Sequence, residues 1–188
     1  TISYSTDGET WSTTAPTWAD FTDGAKTVYV KAENPNYNTA ESSGTVTITK
    51  KAITVTDSAT ETYDGTPKTL TIAASKASGV VDDETLTLTD ATITGTDQGS
   101  YTEVAEYTWS VKKADGETDS TGNYTIEVSG TLTINKAAAS ELGLSVENYS
   151  GAYDAAAHTV TATATVTAGT TISYSTDGET WSTTAPTW

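Results

Sequence analysis

Residues 45–57 read TVTITKKAITVTD. In the first half Val46 and Ile48 alternate with Thr45, Thr47 and Thr49; in the second, Ile53 and Val55 alternate with Thr54 and Thr56. A period of two puts the branched apolar side chains on one face of a strand and the threonines on the other. Such strands cover a core on one side and meet water on the other, as antiparallel sheets do. Between the two runs stand only Lys50 and Lys51, with no Gly, Pro or polar tract, so one strand feeds almost directly into the next. The stretch therefore predicts an all-β chain and, at residues 50/51, a stiff seam between small domains.

The same alternation recurs in KTLTIAA (68–74), TLTLT (85–89), EYTWSV (106–111), GTLTI (130–134) and HTVTATATV (158–166). Ile53, Val55, Leu70, Ile72, Leu86, Leu88, Trp109, Val111, Leu132 and Ile134 are the expected core of the middle of the chain. Turn residues separate the runs. Asp7-Gly8 and Asp177-Gly178 predict tight hairpins of type I′, in which both central residues have positive φ. Asp23-Gly24, Asn34-Pro35-Asn36 and ADGETDSTGN (114–123) mark further loops. Only AAASELGL (137–144) has any helical character, and it is too short to carry weight.

Residues 1–18, TISYSTDGETWSTTAPTW, return letter for letter at 171–188, so the sequence repeats with a period of 170 residues. A period this long implies whole domains in series. A weaker repeat lies inside it. YDGTPKTLT from Tyr63 is echoed by YDAAAHTVT from Tyr153, and NYNTAESSGTVTITK (36–50) by NYTIEVSGTLTINK (123–136). Three segments follow: the C-terminal part of one unit at 1–50, a complete unit at 51–136, and the N-terminal part of the next copy of the first unit at 137–188. The expected architecture is a linear array of small antiparallel β-sandwiches, Ig-like or β-grasp-like. Ala155 stands where the other unit has Gly65, so a positive-φ turn at Gly65 is expected to be relaxed at Ala155.

Composition narrows the function classes. The chain has no Cys and no Met, position 1 included, and reads as a mature or internal piece of a longer protein. All nine cations are Lys, against 25 carboxylates, for a net charge of −16. Nucleic acid and anionic membranes need clustered basic groups, so neither is an expected partner. No run approaches the roughly 18 apolar residues of a membrane-spanning helix. Nearly a quarter of the residues are Thr, suited to a half-wet pleated surface. An acidic, cysteine-free, threonine-rich chain fits an extracellular protein.

The paired openings and closings carry a resemblance. The unit YDGTPKTLT … VKKADGETDSTGNYTIEVSGTLTI resembles the YDG/MBG-type repeats of giant Gram-positive cell-surface proteins. YDAAAHTVTATATV … TISYSTDGETWSTTAPTW, continued by FTDGAKTVYVKAENPNYNTAESSGTVTI, looks like the companion bacterial Ig-like repeat. The resemblance spans essentially the whole chain. It implies a wall-anchored or released array acting as a stalk or an adhesin, with neighbouring copies of the repeat as head-to-tail partners. It brings no catalytic residues.

Few residues are candidates for chemistry. His158, the one histidine, has no Cys or second His to join it as a metal ligand or catalytic base, and it aligns with Lys68, as a solvated strand residue would. Asp115, Glu117 and Asp119 alternate as carboxylates do in a calcium loop. They lack the sixth-position Gly and the twelfth-position Glu, so calcium is a weak candidate and a solvated turn the plainer reading. Thr159, Thr161, Thr163, Thr165 and Thr167 form a hydroxyl row, which reads as the wet side of a strand. Trp11 and Trp181, just past the Asp-Gly turns, are the candidates for binding a host glycan or protein. No cofactor is implied. A structural stalk or fibre leads, an adhesive module is the alternative, and an enzyme is not expected.

Overall fold

The computed structural model describes residues 1–188 and contains strands, turns and short 3₁₀ segments but no α-helix. The chain is all-β and built of several small sheets rather than one large one. Its contacts divide it into two compact units, the first comprising Thr1–Glu61 and Gly65–Ile134 and the second Thr62–Asp64 and Asn135–Trp188.

In the first unit, β1 (Ile2–Ser5), β2 (Lys26–Asn34) and β3 (Tyr37–Val46) form an antiparallel sheet in the order β1-β2-β3. The register sets Ile2 opposite Ala32 and Tyr4 opposite Val30, and puts Ala40 and Gly44 opposite Ala32 and Val28. Ile2, Tyr4, Val28, Val30, Ala32 and Ala40 therefore share one face. The Pro35-Asn36 turn closes the β2–β3 hairpin, with the Asn36 amide donating to the Asn34 side-chain oxygen at 2.9 Å. That is the local bond for which Asn is favoured in turns.

The rest of this unit holds the core. β4 (Lys51–Thr62) and β11 (Tyr124–Asn135) lie side by side at the centre of a four-stranded sheet. β6 (Ala77–Ser78) flanks β4, and β9 (Gly99–Tyr101) flanks β11. Thr56 Oγ1 meets Ser129 Oγ at 3.0 Å, and the Asp57 carbonyl lies beside Gly130. A step forward along one strand is thus a step forward along the other, so the first and last strands of this segment run in the same direction. Two ladders complete it, β5 (Lys68–Thr71) with β8 (Thr92–Gly95), and β7 (Thr85–Thr89) with β10 (Thr108–Lys112).

Seven of the ten expected core residues are buried: Ile53, Val55, Leu70, Ile72, Val111, Leu132 and Ile134. Leu86, Leu88 and Trp109 pack against that cluster while staying partly exposed, and Ala91, Ile93 and Tyr124 join it. Tyr124 is held by a polar network. Its hydroxyl donates to Glu84 Oε2 at 2.6 Å, Ser120 Oγ donates to the same oxygen at 2.9 Å, and the Val81 amide donates to the Tyr124 oxygen at 3.2 Å. Burial first, and then the Glu84 carboxylate, push the Tyr124 phenol above its usual pKa. Residues 1–50 contribute no fully buried apolar side chain.

Residues 20–22 are tied to this core-bearing segment. Asp20 Oδ1 accepts from Asn123 Nδ2 at 2.9 Å and from Lys113 Nζ at 3.3 Å, and the Phe21 amide donates to Asn123 Oδ1 at 2.7 Å. The Asn123 amide, then Lys113, hold the Asp20 carboxyl below the usual range. Lys50 Nζ sits 5.0 Å from the Phe21 ring centre, and the Thr22 amide donates to the Ile48 carbonyl at 3.1 Å.

The second unit carries one small ladder, β12 (Ser145–Glu147) against β13 (Thr161–Thr163), preceded by a 3₁₀ segment at Ala139–Leu142 and a left-handed Gly143. No residue of this unit from Asn135 onward is fully buried. The strand expected over 158–166 is confined to three residues, so only Thr161 and Thr163 of the hydroxyl row stand on a strand. The turn expected to relax at Ala155 does not: Ala155 has φ 60° and Gly65 has φ 81°, both left-handed.

Candidate functional site

The two copies of the eighteen-residue segment build the same loop. In the first, Tyr4 and Ser12 exchange backbone hydrogen bonds at 2.7 and 2.9 Å; in the second, Tyr174 and Ser182 do so at the same distances. The expected type I′ turn is replaced by a longer, side-chain-capped one. Gly8 and Gly178 are left-handed, but Asp7 and Asp177 are not among the positive-φ residues. Instead Asp7 Oδ1 accepts the amides of Glu9 and Thr10 at 2.8 and 2.7 Å, and Ser5 Oγ accepts the Gly8 amide at 2.9 Å. Asp177 does the same with Glu179 and Thr180 at 2.8 Å each. These amide donors, Thr10 or Thr180 first, push both carboxyls far below their ordinary pKa.

What differs is the neighbourhood. β1 in the first copy pairs with β2, and its Ser3 and Ser5 are 7% and 3% exposed. Lys31 of β2 extends its ammonium to 4.7 Å from the Trp11 ring centre, a cation–π contact on a half-buried indole. The second copy has no such partner: Ile172–Ser175 forms no ladder, Ser173 is exposed, and Trp181 is 63% exposed.

Trp181 borders an apolar groove of about 300 Å³ in the second unit, floored by Leu144, Val146, Ala162 and Ala164 and walled by Ile172 and Tyr174. Leu144 and Val146 are 63% and 53% exposed. Of the two tryptophans singled out in sequence, Trp181 thus lines an open groove, whereas Trp11 is occupied by Lys31.

The acidic loop is a self-satisfied turn. Asp115 Oδ1 accepts the Glu117 and Thr118 amides at 2.9 and 2.8 Å, and its Oδ2 accepts the Thr118 hydroxyl. The Thr118 hydroxyl, then the Thr118 and Glu117 amides, lower the Asp115 carboxyl to about 2. Asp119 turns to the Thr121 hydroxyl and amide at 2.6 and 3.0 Å. Asp115, Glu117 and Asp119 are not gathered into a group that could hold a metal ion.

His158 sits in a small aromatic cluster. Its ring stacks on Tyr149 at 3.9 Å and 8°, and its Nε2 lies 2.8 Å from Asp154 Oδ1. That contact is the leading cause of the lowered Asp154 pKa. His158 and Trp188 exchange backbone bonds at 3.0 and 3.1 Å, which frames a groove of about 220 Å³. The partners of this imidazole are a stacked phenol and a turn carboxylate.

Neither the apolar groove nor the Asp20–Asn123–Lys113 clamp is expected from the sequence. The groove's signal is the alternation of 158–166, which is also that of an ordinary strand face. The clamp joins residues about 100 positions apart and has no local signature. Searches against protein-family models, curated proteins and solved structures find no match to this chain.

Proposed function

We propose that this chain is a segment of an extracellular bacterial surface stalk or fibre, built from 170-residue repeats in tandem. The observation that carries the reading is the eighteen-residue duplication, whose two copies take up the same turn and the same Tyr–Ser bridge. A sequence that repeats its fold at a fixed interval is the signature of an array. The seam at 50/51 has no flexible residues, and the Asp20 clamp further ties the segment before it to the one after it. The resemblance to YDG/MBG-type and bacterial Ig-like repeats points the same way.

Small-angle scattering from a protein of several periods tests this. A rod-like profile, its length growing in proportion to the number of repeats, is expected; the profile of a Gaussian chain would overturn the reading. An adhesive role has one observation in its favour, the exposed Trp181 beside an apolar groove. Glycan-array binding lost in Trp181→Ala would establish that second reading.

A further inference from the structure

The backbone at the 50/51 seam is not a continuous strand. Alternation runs from Thr45 through Thr49, yet β3 ends at Val46 and β4 begins only at Lys51. Residues 47–50 therefore stand in no ladder, and Thr47, Thr49 and Lys50 are exposed. A short unpaired stretch between two sheets is where a few dihedral changes swing one body against another. The absence of Gly and Pro makes this connection short, but it does not by itself fix an angle.

Residues 20–22 make a second connection across that stretch. Before the seam, Thr22 and Ile48 bond twice: the Thr22 amide donates to the Ile48 carbonyl at 3.1 Å, and the Ile48 amide donates to Thr22 Oγ1 at 3.0 Å. Thr22 is only 4% exposed. Beyond the seam, Asn123 uses both ends of its side-chain amide. Its Nδ2 donates to Asp20 Oδ1 at 2.9 Å, and its Oδ1 accepts the Phe21 amide at 2.7 Å. Lys50, inside the unpaired stretch, lies 5.0 Å from the Phe21 ring centre. Asn123 is itself held in place, since its backbone amide donates to the Ser120 carbonyl at 2.9 Å and the next residue is the buried Tyr124.

We infer that residues 20–22 are a strap that locks a hinge at 47–50, with Asn123 as its positioning residue. The inference deepens the stalk reading, on which the purpose of the lock rests, by assigning the stiffness of this seam to residues about 100 positions apart. Two interactions could hold the far end of the strap, and they differ in kind. The Lys113–Asp20 pair spans 3.3 Å between side chains that are 39% and 64% exposed, so water and salt screen it. The two Asn123 bonds are directional and leave one side chain at two points, which fixes an angle as well as a distance. The lock therefore belongs mainly to Asn123, and Lys113 adds to it.

The chain lacks cysteine, so spin labels at Ser43→Cys on β3 and Thr87→Cys on β7, both exposed positions, report a single distance across the seam. In the full chain that distance should be narrowly distributed. Asn123→Ala, and separately Asp20→Ala, should broaden it at least about twofold by freeing the hinge, while unchanged methyl resonances of Ile53, Val111 and Leu132 show an intact core. Lys113→Gln or added salt should broaden it less. The inference is overturned by a broad distribution in the unsubstituted strap, or by a narrow one in both alanine variants. It is equally overturned if salt alone reproduces the full effect of Asn123→Ala, because the lock would then be the charge pair. A narrow distance in the alanine variants leaves rod-like scattering of linked repeats untouched. Gaussian-chain scattering with a narrow distance here would instead sink the stalk reading and spare the strap.

Discussion

At position 155 an alanine holds a conformation that usually belongs to glycine. Its counterpart Gly65 takes the same left-handed backbone without a Cβ, whereas Ala155 brings its methyl group into the crowded region at a cost of about 1 kcal/mol. The internal repeat marks the position, but the neighbouring bonds decide its backbone. Asp154 Oδ1 accepts the Ala156 amide at 2.9 Å, and the turn is kept although its residue is poorly suited. Ala155→Gly should therefore raise the stability of the second unit by roughly that 1 kcal/mol, read as a higher urea midpoint for the His158 and Trp188 amide resonances. An unchanged or lowered midpoint would mean that Ala155 is not strained. The turn carboxylates give a second expectation. Asp115, held at about 2 in the folded chain, is depressed relative to an ordinary carboxyl near 3.8. Its contribution is present above the ordinary value and is lost as pH falls toward 2. The loop at 114–121 should keep its amide shifts from pH 7 to pH 4 and lose them between pH 4 and pH 2, with Asp115→Asn reducing that acid step. Other residue-level features were less legible. Ala91 and Ile93 are buried although the ATITG run that contains them is short, and the buried Tyr124 has its hydroxyl bonded to Glu84, 40 positions away.

The two copies of TISYSTDGETWSTTAPTW separate what a segment encodes from what its surroundings supply. The loop from Tyr4 to Ser12 is local: serine and aspartate oxygens cap its amides, and it appears unchanged at Tyr174 to Ser182. The strand is not local, because Ile2–Ser5 is a strand beside β2 whereas Ile172–Ser175 is none without it. Alternation within a sequence thus announces a face suited to a sheet, and a partner turns it into a ladder. The same reasoning explains why 158–166 alternates over nine residues and yields a three-residue strand. Hydrogen exchange reads this directly. The Ser3 and Ser5 amides, in the hydrogen-bonded pairs of β1 and β2, should exchange at least about tenfold more slowly than those of Ser173 and Ser175 in dilute protein. Equal rates would remove the distinction between the copies.

Over the whole molecule, the all-β class was legible because alternation, β-branched composition and turn residues agree across the chain. The core was legible wherever strands were long, and every fully buried apolar residue lies within 51–136. The groove and the clamp were not, since both depend on which distant residues meet. One further consequence concerns the central strand pair. β4 opens the core-bearing segment, β11 closes it, and the two run side by side in the same direction. When tension enters that segment at Lys51 and leaves at its last strand, the two neighbours are drawn past each other along their length. Their ladder of hydrogen bonds then bears the load together, in shear, rather than opening one rung at a time as a pulled hairpin does. Forced unfolding is governed by the height of the unfolding barrier, and this arrangement places the barrier at the strand pair that carries Ile53, Val55, Leu132 and Ile134. A segment wired in this way resists being stretched from its ends far better than its modest core alone would suggest.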